Sequence, residues 1–226
     1  MTKIYCFSGS GHSQAVAAYF ACRLGLDAIP LTTDTNGCAD VAVVIFPVYC
    51  QNVPPPVLDF LHRLDAQYAV LIATYGKISY GNVLAEASRA TRACVIAGAY
   101  VPTGHSFLGE GASFPTQDLE PIFARISSPK QAHIPNSFKN PFASFFPAWR
   151  SRAGLQLTKT DECSNCGLCT NSCPMGAMQN GTPDRRCMRC LRCVHVCPQK
   201  ALRTRARPVL KAYLKRQRCD RLVVYL

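Results

Sequence analysis

The chain has 226 residues, 48% of them hydrophobic, and a formal net charge of +12. That apolar share excludes a disordered chain, and the length leaves room for two folded domains. The longest apolar run, Val41 to Cys50, contains Pro47 and is too short to span a bilayer; with no secretory pattern ahead of the first strand-like segment, the expectation is a cytoplasmic protein without a membrane span.

In chain order, Lys3 to Phe7 reads as a strand and Ser13 to Leu24 as a helix with Val16, Ala17, Phe20 and Leu24 on one face. Ala28 to Leu31 is a short strand. Val41 to Phe46 is a continuous apolar run suited to a central parallel strand. Pro55 to Leu64 predicts a helix, Tyr68 to Thr74 a buried strand, Gly81 to Arg92 a helix, Cys94 to Val101 a strand and Gln117 to Ile126 a helix. This alternation predicts an α/β fold, a doubly wound parallel sheet, over residues 1–127.

Three loops follow strand ends, where open α/β sheets bind ligands. The first is Ser8-Gly9-Ser10-Gly11-His12-Ser13. Its amides and hydroxyls, ahead of a helix N-terminus, suit a phosphate; they equally suit a plain Gly/Ser turn with a serine cap. Its glycine spacing is not the dinucleotide fingerprint. The second and third loops carry Pro47 and Tyr49, and Thr74, Tyr75, Gly76 and Tyr80. A flat ring could stack on Tyr49 or Tyr80.

Residues 128–153 are rich in Pro, Ser and Phe and read as a linker. Its Phe138, Phe142, Phe145, Phe146 and Trp149 are expected to pack against a domain. Leu155 to Thr158 reads as a leading strand. Two copies of one pattern follow at a period of 24 residues: Cys163, Cys166, Cys169 and Cys173-Pro174, then Cys187, Cys190, Cys193 and Cys197-Pro198. Both read C-x2-C-x2-C-x3-C-P, the bacterial run that ligates iron–sulfur cubanes. Three thiolates within seven residues can wrap one cube, and each proline suits the first turn of a short helix, expected over residues 174–178 and 198–202. Paired C-x-x-C also binds zinc or builds disulfide frameworks, but neither uses the third cysteine of each run or the Cys-Pro steps.

Charge is unevenly shared. Residues 1–149 carry nine Lys/Arg and nine Asp/Glu; residues 150–226 carry sixteen and four. A basic tail over 206–226, with Lys211, Lys215 and Arg216, suits either charge balance for metal clusters or docking of an acidic redox partner; nucleic acid is the lesser expectation. Cys6, Cys22 and Cys94 read as small core residues. Cys38 and Cys219 are isolated. His195, inside the second run, is expected to tune or shield a cluster rather than ligate it.

Residues 154–205 resemble two-cluster bacterial ferredoxins. In that family the fourth cysteine of each run ligates the other cluster, which implies the sets Cys163, Cys166, Cys169 with Cys197, and Cys187, Cys190, Cys193 with Cys173. Ser8 to Ser13 resembles the phosphate loop of flavodoxins, with His12 where Asn is usual. Phe46 to Tyr49 and Thr74 to Gly76 resemble the loops that hold the flavin ring, with Cys50 where a glycine is common. The whole chain is similar to fused proteins, mainly of anaerobes, that join a flavodoxin-like domain to a small α+β ferredoxin domain with two [4Fe-4S] clusters. The resemblance implies FMN, two [4Fe-4S] clusters and electron transfer with redox partner proteins. The alternatives are a flavin-dependent reductase of a small substrate fed by the clusters, and a cluster-based redox sensor. No nucleophile–base signature is present, which leaves enzymatic activity open and no catalytic residue assigned.

Overall fold

The structure is a computed structural model and describes residues 1–145, 147–216 and 218–226. Its elements begin with β1 (Thr2–Cys6), α1 (His12–Leu24), β2 (Ala28–Pro30), β3 (Cys38–Pro47) and α2 (Pro55–Arg63). There follow β4 (Asp65–Tyr75), α3 (Val83–Ala90), β5 (Cys94–Pro102) and, after a 3-10 turn, α4 (Glu120–Ser127). A second 3-10 turn precedes α5 (Pro147–Gly154), β6 (Leu155–Lys159), α6 (Leu168–Asn171), β7 (Met178–Gln179) and β8 (Thr182–Pro183). The chain ends with α7 (Arg192–His195), β9 (Leu202–Ala206), α8 (Pro208–Leu214) and β10 (Val223–Tyr225).

The chain divides into two compact units: residues 1–141 with 218–226, and residues 142–217. The first is a mixed α/β unit around a central sheet of order β10-β5-β4-β3-β1-β2. Five of its strands run parallel; β10 alone pairs antiparallel, with β5. β3 and β4 are apolar without alternation because helices cover both faces. On one face Ile4, Val43, Ile45, Val70 and Ile72 pack with Val16, Ala17 and Phe20 of α1 and Ile122 of α4. On the other, Tyr5 meets Phe60 of α2 at 4.8 Å between ring centroids, and the Leu84 amide of α3 donates to the Tyr100 hydroxyl at 2.9 Å. Each fully buried side chain of this kind stabilises by about 1.5–3 kcal/mol.

Four expectations are corrected. The segment at 206–226 is not one tail: Ala206 ends β9, α8 follows, and residues 218–226 belong to the first unit. Val223, Val224 and Tyr225 pair with Tyr100, Ala99 and Gly98, because an apolar strand at the open edge of β5 satisfies its ladder. The linker aromatics do not pack: Phe138, Phe142, Phe145 and Trp149 are exposed, and Phe146 lies outside the described residues. The stretch before them is held instead by polar contacts, with the Ala132 amide donating to the Val95 carbonyl and Lys139 paired to Glu86 at 2.7 Å. Cys22 is exposed on α1, while Cys6 is buried as expected. Finally, the short helices fall before the fourth cysteine of each run, as α6 and α7, not after its proline. Gly176 (φ +53°) and Lys200 (φ +51°) turn the chain left-handed at once, which stops a helix there.

In the second unit β6 pairs antiparallel with β9, and β7 with β8. Asn180 and Gly181, both at positive φ, close the latter hairpin. The apolar centre is small: Leu157, Met178, Cys193 and Leu202, with Cys169, Cys173 and Val194 against them.

Candidate functional site

The two cysteine runs take the same backbone path. Positive φ recurs at Asn165 and Arg189, at Gly167 and Leu191, and at Gly176 and Lys200, each pair 24 residues apart. After the fourth cysteine, the Ala177 amide donates to Cys173 Sγ and the Ala201 amide to Cys197 Sγ, both at 3.3 Å. The turn after each proline thus aims a backbone N–H at sulfur.

These paths form two pockets. One is lined by Cys187, Cys190 and Cys193 of the second run and Cys173 of the first. The other is lined by Cys163, Cys166 and Cys169 of the first run and Cys197 of the second. All eight motif cysteines are accounted for, four to a pocket. Each quartet lines a space rather than meeting at a point; among the described residues no three His, Cys, Asp or Glu side chains close on a single-ion site. A zinc ion needs its sulfurs about 2.3 Å from one atom, whereas a cubane takes each thiolate at a separate corner. Four thiols lining each pocket are the donor set of a cubane.

The pockets differ in their surroundings. The Cys187 pocket has an apolar wall of Leu157, Met178, Met188 and Leu191, and Cys187 and Cys193 are buried. Burial pushes the Cys190 thiol up to about 11 and the Cys193 thiol up to about 12. Thiolates there need a cation to offset desolvation, and coordinated iron is such a cation. At the Cys163 pocket Cys166 is exposed, and Asn165, Asn180 and Gln199 share its wall. Arg189 donates to Cys187 Sγ at 3.0 Å. His195 is exposed on α7 and lines neither pocket, so the shielding expected of it is not seen.

In the first unit the three predicted loops meet at the C-terminal edge of the parallel strands. Ser8 Oγ accepts from the Gln14 amide at 3.3 Å, and Gly11 (φ +89°) caps α1. Ser13 and Thr74 are buried with their hydroxyls 2.8 Å apart. Ser10 Oγ lies 2.8 Å from His12 Nδ1 and 2.6 Å from Ser106 Oγ, and His12 Nε2 donates to the Glu110 carbonyl at 2.8 Å. Pro47 pairs with Thr74 at the ends of β3 and β4. Tyr49 sets its ring edge-on to Phe7. Cys50 takes φ +52°, the conformation that favours the glycine expected there. Gln51 donates to Ser79 Oγ at 2.8 Å, tying the second loop to the third. A Cβ on Gly76 would lie 2.6 Å from the His105 ring. Tyr80 stacks on Tyr100 at 4.0 Å.

Two segments at this edge were missed from the sequence. One is the loop after β5, which supplies His105, Ser106 and Glu110. The other is the returning segment, where Arg218 holds both carboxylate oxygens of Glu110 at 2.6 Å and Lys77 pairs with Asp220 at 2.8 Å. The Tyr75 hydroxyl donates to the Arg221 carbonyl at 2.5 Å, and desolvation holds it well above the ordinary tyrosine range. The Gly104 step in a Thr-Gly-His loop after a strand was the one local signal.

Residues 159–179 match a family model described as a 4Fe-4S binding domain, and residues 187–201 match a second model of the same description. The C-terminal region therefore carries two ferredoxin-type 4Fe-4S binding domains, which support an iron–sulfur electron-transfer role. A search of curated proteins finds no match. Among solved structures the chain is similar to the Trp repressor binding protein from Bacillus subtilis, at 11% identity over 57% of this chain and 100% of that one; the TM-score of 0.29 is too low to bear on fold or function. No helix among the described residues is long and apolar enough to cross a membrane.

The edge network makes stability depend on pH. Burial holds His105 down at about 4, with Glu110 opposing and Arg218 and His12 reinforcing the shift. The Arg218 guanidinium and the His105 amide hold Glu110 at about 2. Between pH 6.5 and 4 the unfolded chain binds a proton at residue 105 that the folded chain refuses, so stability falls as pH falls through that window. Below 4.5 protonation of the unfolded carboxyl extends the loss. Urea melts of the full chain from pH 7.5 to 4 should show this decline, and His105→Gln should flatten it above pH 4.5.

Proposed function

We propose that this chain is an electron-transfer protein whose second unit holds two [4Fe-4S] clusters, one by Cys163, Cys166, Cys169 and Cys197, the other by Cys187, Cys190, Cys193 and Cys173. The observation that carries the reading is the composition of the two pockets, each with three cysteines of one run and the fourth of the other. When bound, such clusters accept and release single electrons. The chain supplies eight thiolates, backbone N–H donors to Cys173 and Cys197, and an apolar wall at the Cys187 pocket. Anaerobically reconstituted protein should carry about eight irons and eight sulfides per chain. Because the sets cross between runs, Cys173→Ser should disturb the cluster of the second run and spare that of the first. Stoichiometric zinc in place of iron would falsify the assignment.

The first unit reads as a flavodoxin-like, doubly wound domain with FMN at the C-terminal edge of its sheet. The strand order β2-β1-β3-β4-β5 supports this, since it is the order of that fold, with ligands at the strand ends. Ser8, Ser10 and Ser13 and the backbone of residues 9–12 are the donors available to the phosphate, and Tyr49 and Tyr80 the rings nearest the flavin loops. The polar groups fit a phosphate in kind, but Ser10 and His12 already bond the loop after β5, so binding must displace those contacts. Titrating FMN with the protein should quench flavin fluorescence, and Ser10→Glu should weaken binding at least tenfold through repulsion of the phosphate. Unquenched FMN with the unaltered chain would remove the cofactor from this reading and leave the clusters in place.

An acidic redox protein is the proposed partner. Residues 200–218 carry eight Lys/Arg and no Asp/Glu, and Lys211, Lys215 and Arg216 are exposed. Electron transfer from a small acidic ferredoxin, followed by stopped flow, should slow severalfold as salt rises through the physiological range, where screening acts over about 8 Å. Lys211→Gln with Lys215→Gln should slow it at low salt and make it less salt-sensitive. Rates indifferent to both changes would leave these residues as charge balance alone.

A further inference from the structure

We infer that Arg189 raises the reduction potential of the Cys187 pocket, by a guanidinium hydrogen bond to a sulfur ligand that the first repeat lacks. The inference rests on the cluster reading given above.

The internal repeat supplies its own control. Arg189 and Asn165 occupy the same place in the two runs, between the first and second cysteines, and share the left-handed backbone, at φ +60° and +55°. Asn tolerates that conformation; a long unbranched cation gains nothing from it locally. The return lies in where the side chain goes. Arg189 Nε donates to the Leu155 carbonyl at 2.9 Å, which fixes the guanidinium plane against the start of β6. Its Nη1 then donates to Cys187 Sγ at 3.0 Å. Asn165 meets the matching sulfur without a cation and as an acceptor: its Oδ1 accepts from Lys159 Nζ at 2.7 Å and from Cys163 Sγ at 3.8 Å. The amides after the two prolines donate to sulfur alike, at 3.3 Å to Cys173 and 3.3 Å to Cys197, and the Cys187 pocket also has the Arg192 amide on Cys190 and the Val194 amide on Cys193, neither of which Arg189→Asn removes.

Two effects compete at the Cys187 pocket. Its apolar wall disfavours added negative charge, and the guanidinium favours it. Reduction by one electron, with dithionite as the donor, adds one negative charge to the group the thiolates hold. A fixed cation touching a ligand sulfur meets that charge at hydrogen-bond distance and without reorganising, and the low local dielectric strengthens it. Hydrogen bonds to sulfur and net charge are recognised tuners of such potentials. Arg189 is a positioning residue in this role, acting on Cys187 rather than on any substrate.

The test is an anaerobic redox titration of the full chain with dithionite, read by electron paramagnetic resonance, with iron and sulfide measured on the same samples. Arg189→Asn installs the residue of the first repeat, so the backbone path is kept and only the guanidinium is lost. One of the two midpoints should fall by at least tenfold in its one-electron equilibrium, about 59 mV, while the other stays. Arg189→Lys, which keeps the cation, should recover part of the shift. Where Arg189→Asn does not retain iron, Arg189→Gln removes the same charge with a longer neutral side chain, and the same fall is expected. Two unmoved midpoints at full iron and sulfide content overturn the inference. Absence of iron from the unaltered chain would instead overturn the cluster reading, so the two failures are distinct.

Discussion

The second unit depends on one constraint: neither cysteine run can complete a pocket alone. Three cysteines come from one run and the fourth from the other, in both directions. The halves must therefore fold together, and the β6–β9 pair that brackets them draws one strand from each end of the unit. The apolar centre offers little else, since Leu157, Met178, Cys193 and Leu202 are few for a unit of this size. Small domains with so little core rely on cross-links or metals. The thiolate pockets are thus where this unit's stability and its chemistry coincide. The left-handed backbone at Arg189 and Leu191, costing about 1–2 kcal/mol each, is tolerated because the loop around the pocket admits no other path.

The first unit follows different rules. Its sheet is a conventional buried one, and its polar chemistry is confined to the strand ends. There the loops after β1, β3, β4 and β5 bond one another rather than standing open: Ser10 to Ser106, His12 to Glu110, Gln51 to Ser79. The returning segment adds Arg218 on Glu110 and Arg221 on Tyr75. The edge strand of the first unit is made from residues that lie beyond the cysteine runs, so its sheet is completed only after both runs have been made.

The legible parts of the sequence were those fixed by local spacing. Apolar runs such as Val41 to Phe46 became central strands because burial on both faces leaves no room for polar residues. The cysteine periodicity located both pockets because ligand spacing is set by the chain between the ligands. What stayed hidden depends on long-range contact. Nothing local tells that Arg189 reaches Leu155, or that Glu110 meets Arg218. The arginines around Val223 to Tyr225 obscured a short apolar strand whose pairing partner lies more than a hundred residues upstream. The linker aromatics misled for the opposite reason: composition alone cannot say whether an apolar ring has a surface to cover.

Duplication explains the sameness of the two pockets, and their departures from sameness are where function can enter. A repeat of 24 residues with matched left-handed positions would give two equivalent sites if the residues at those positions were equivalent. They are not. Asn165 and Gly167 suit their conformations, and Cys166 between them is exposed. Arg189 and Leu191 do not suit theirs, and there they line the Cys187 pocket with an apolar side chain and a cation on sulfur. The two sites therefore differ in the burial of their cysteines and in the charge beside them.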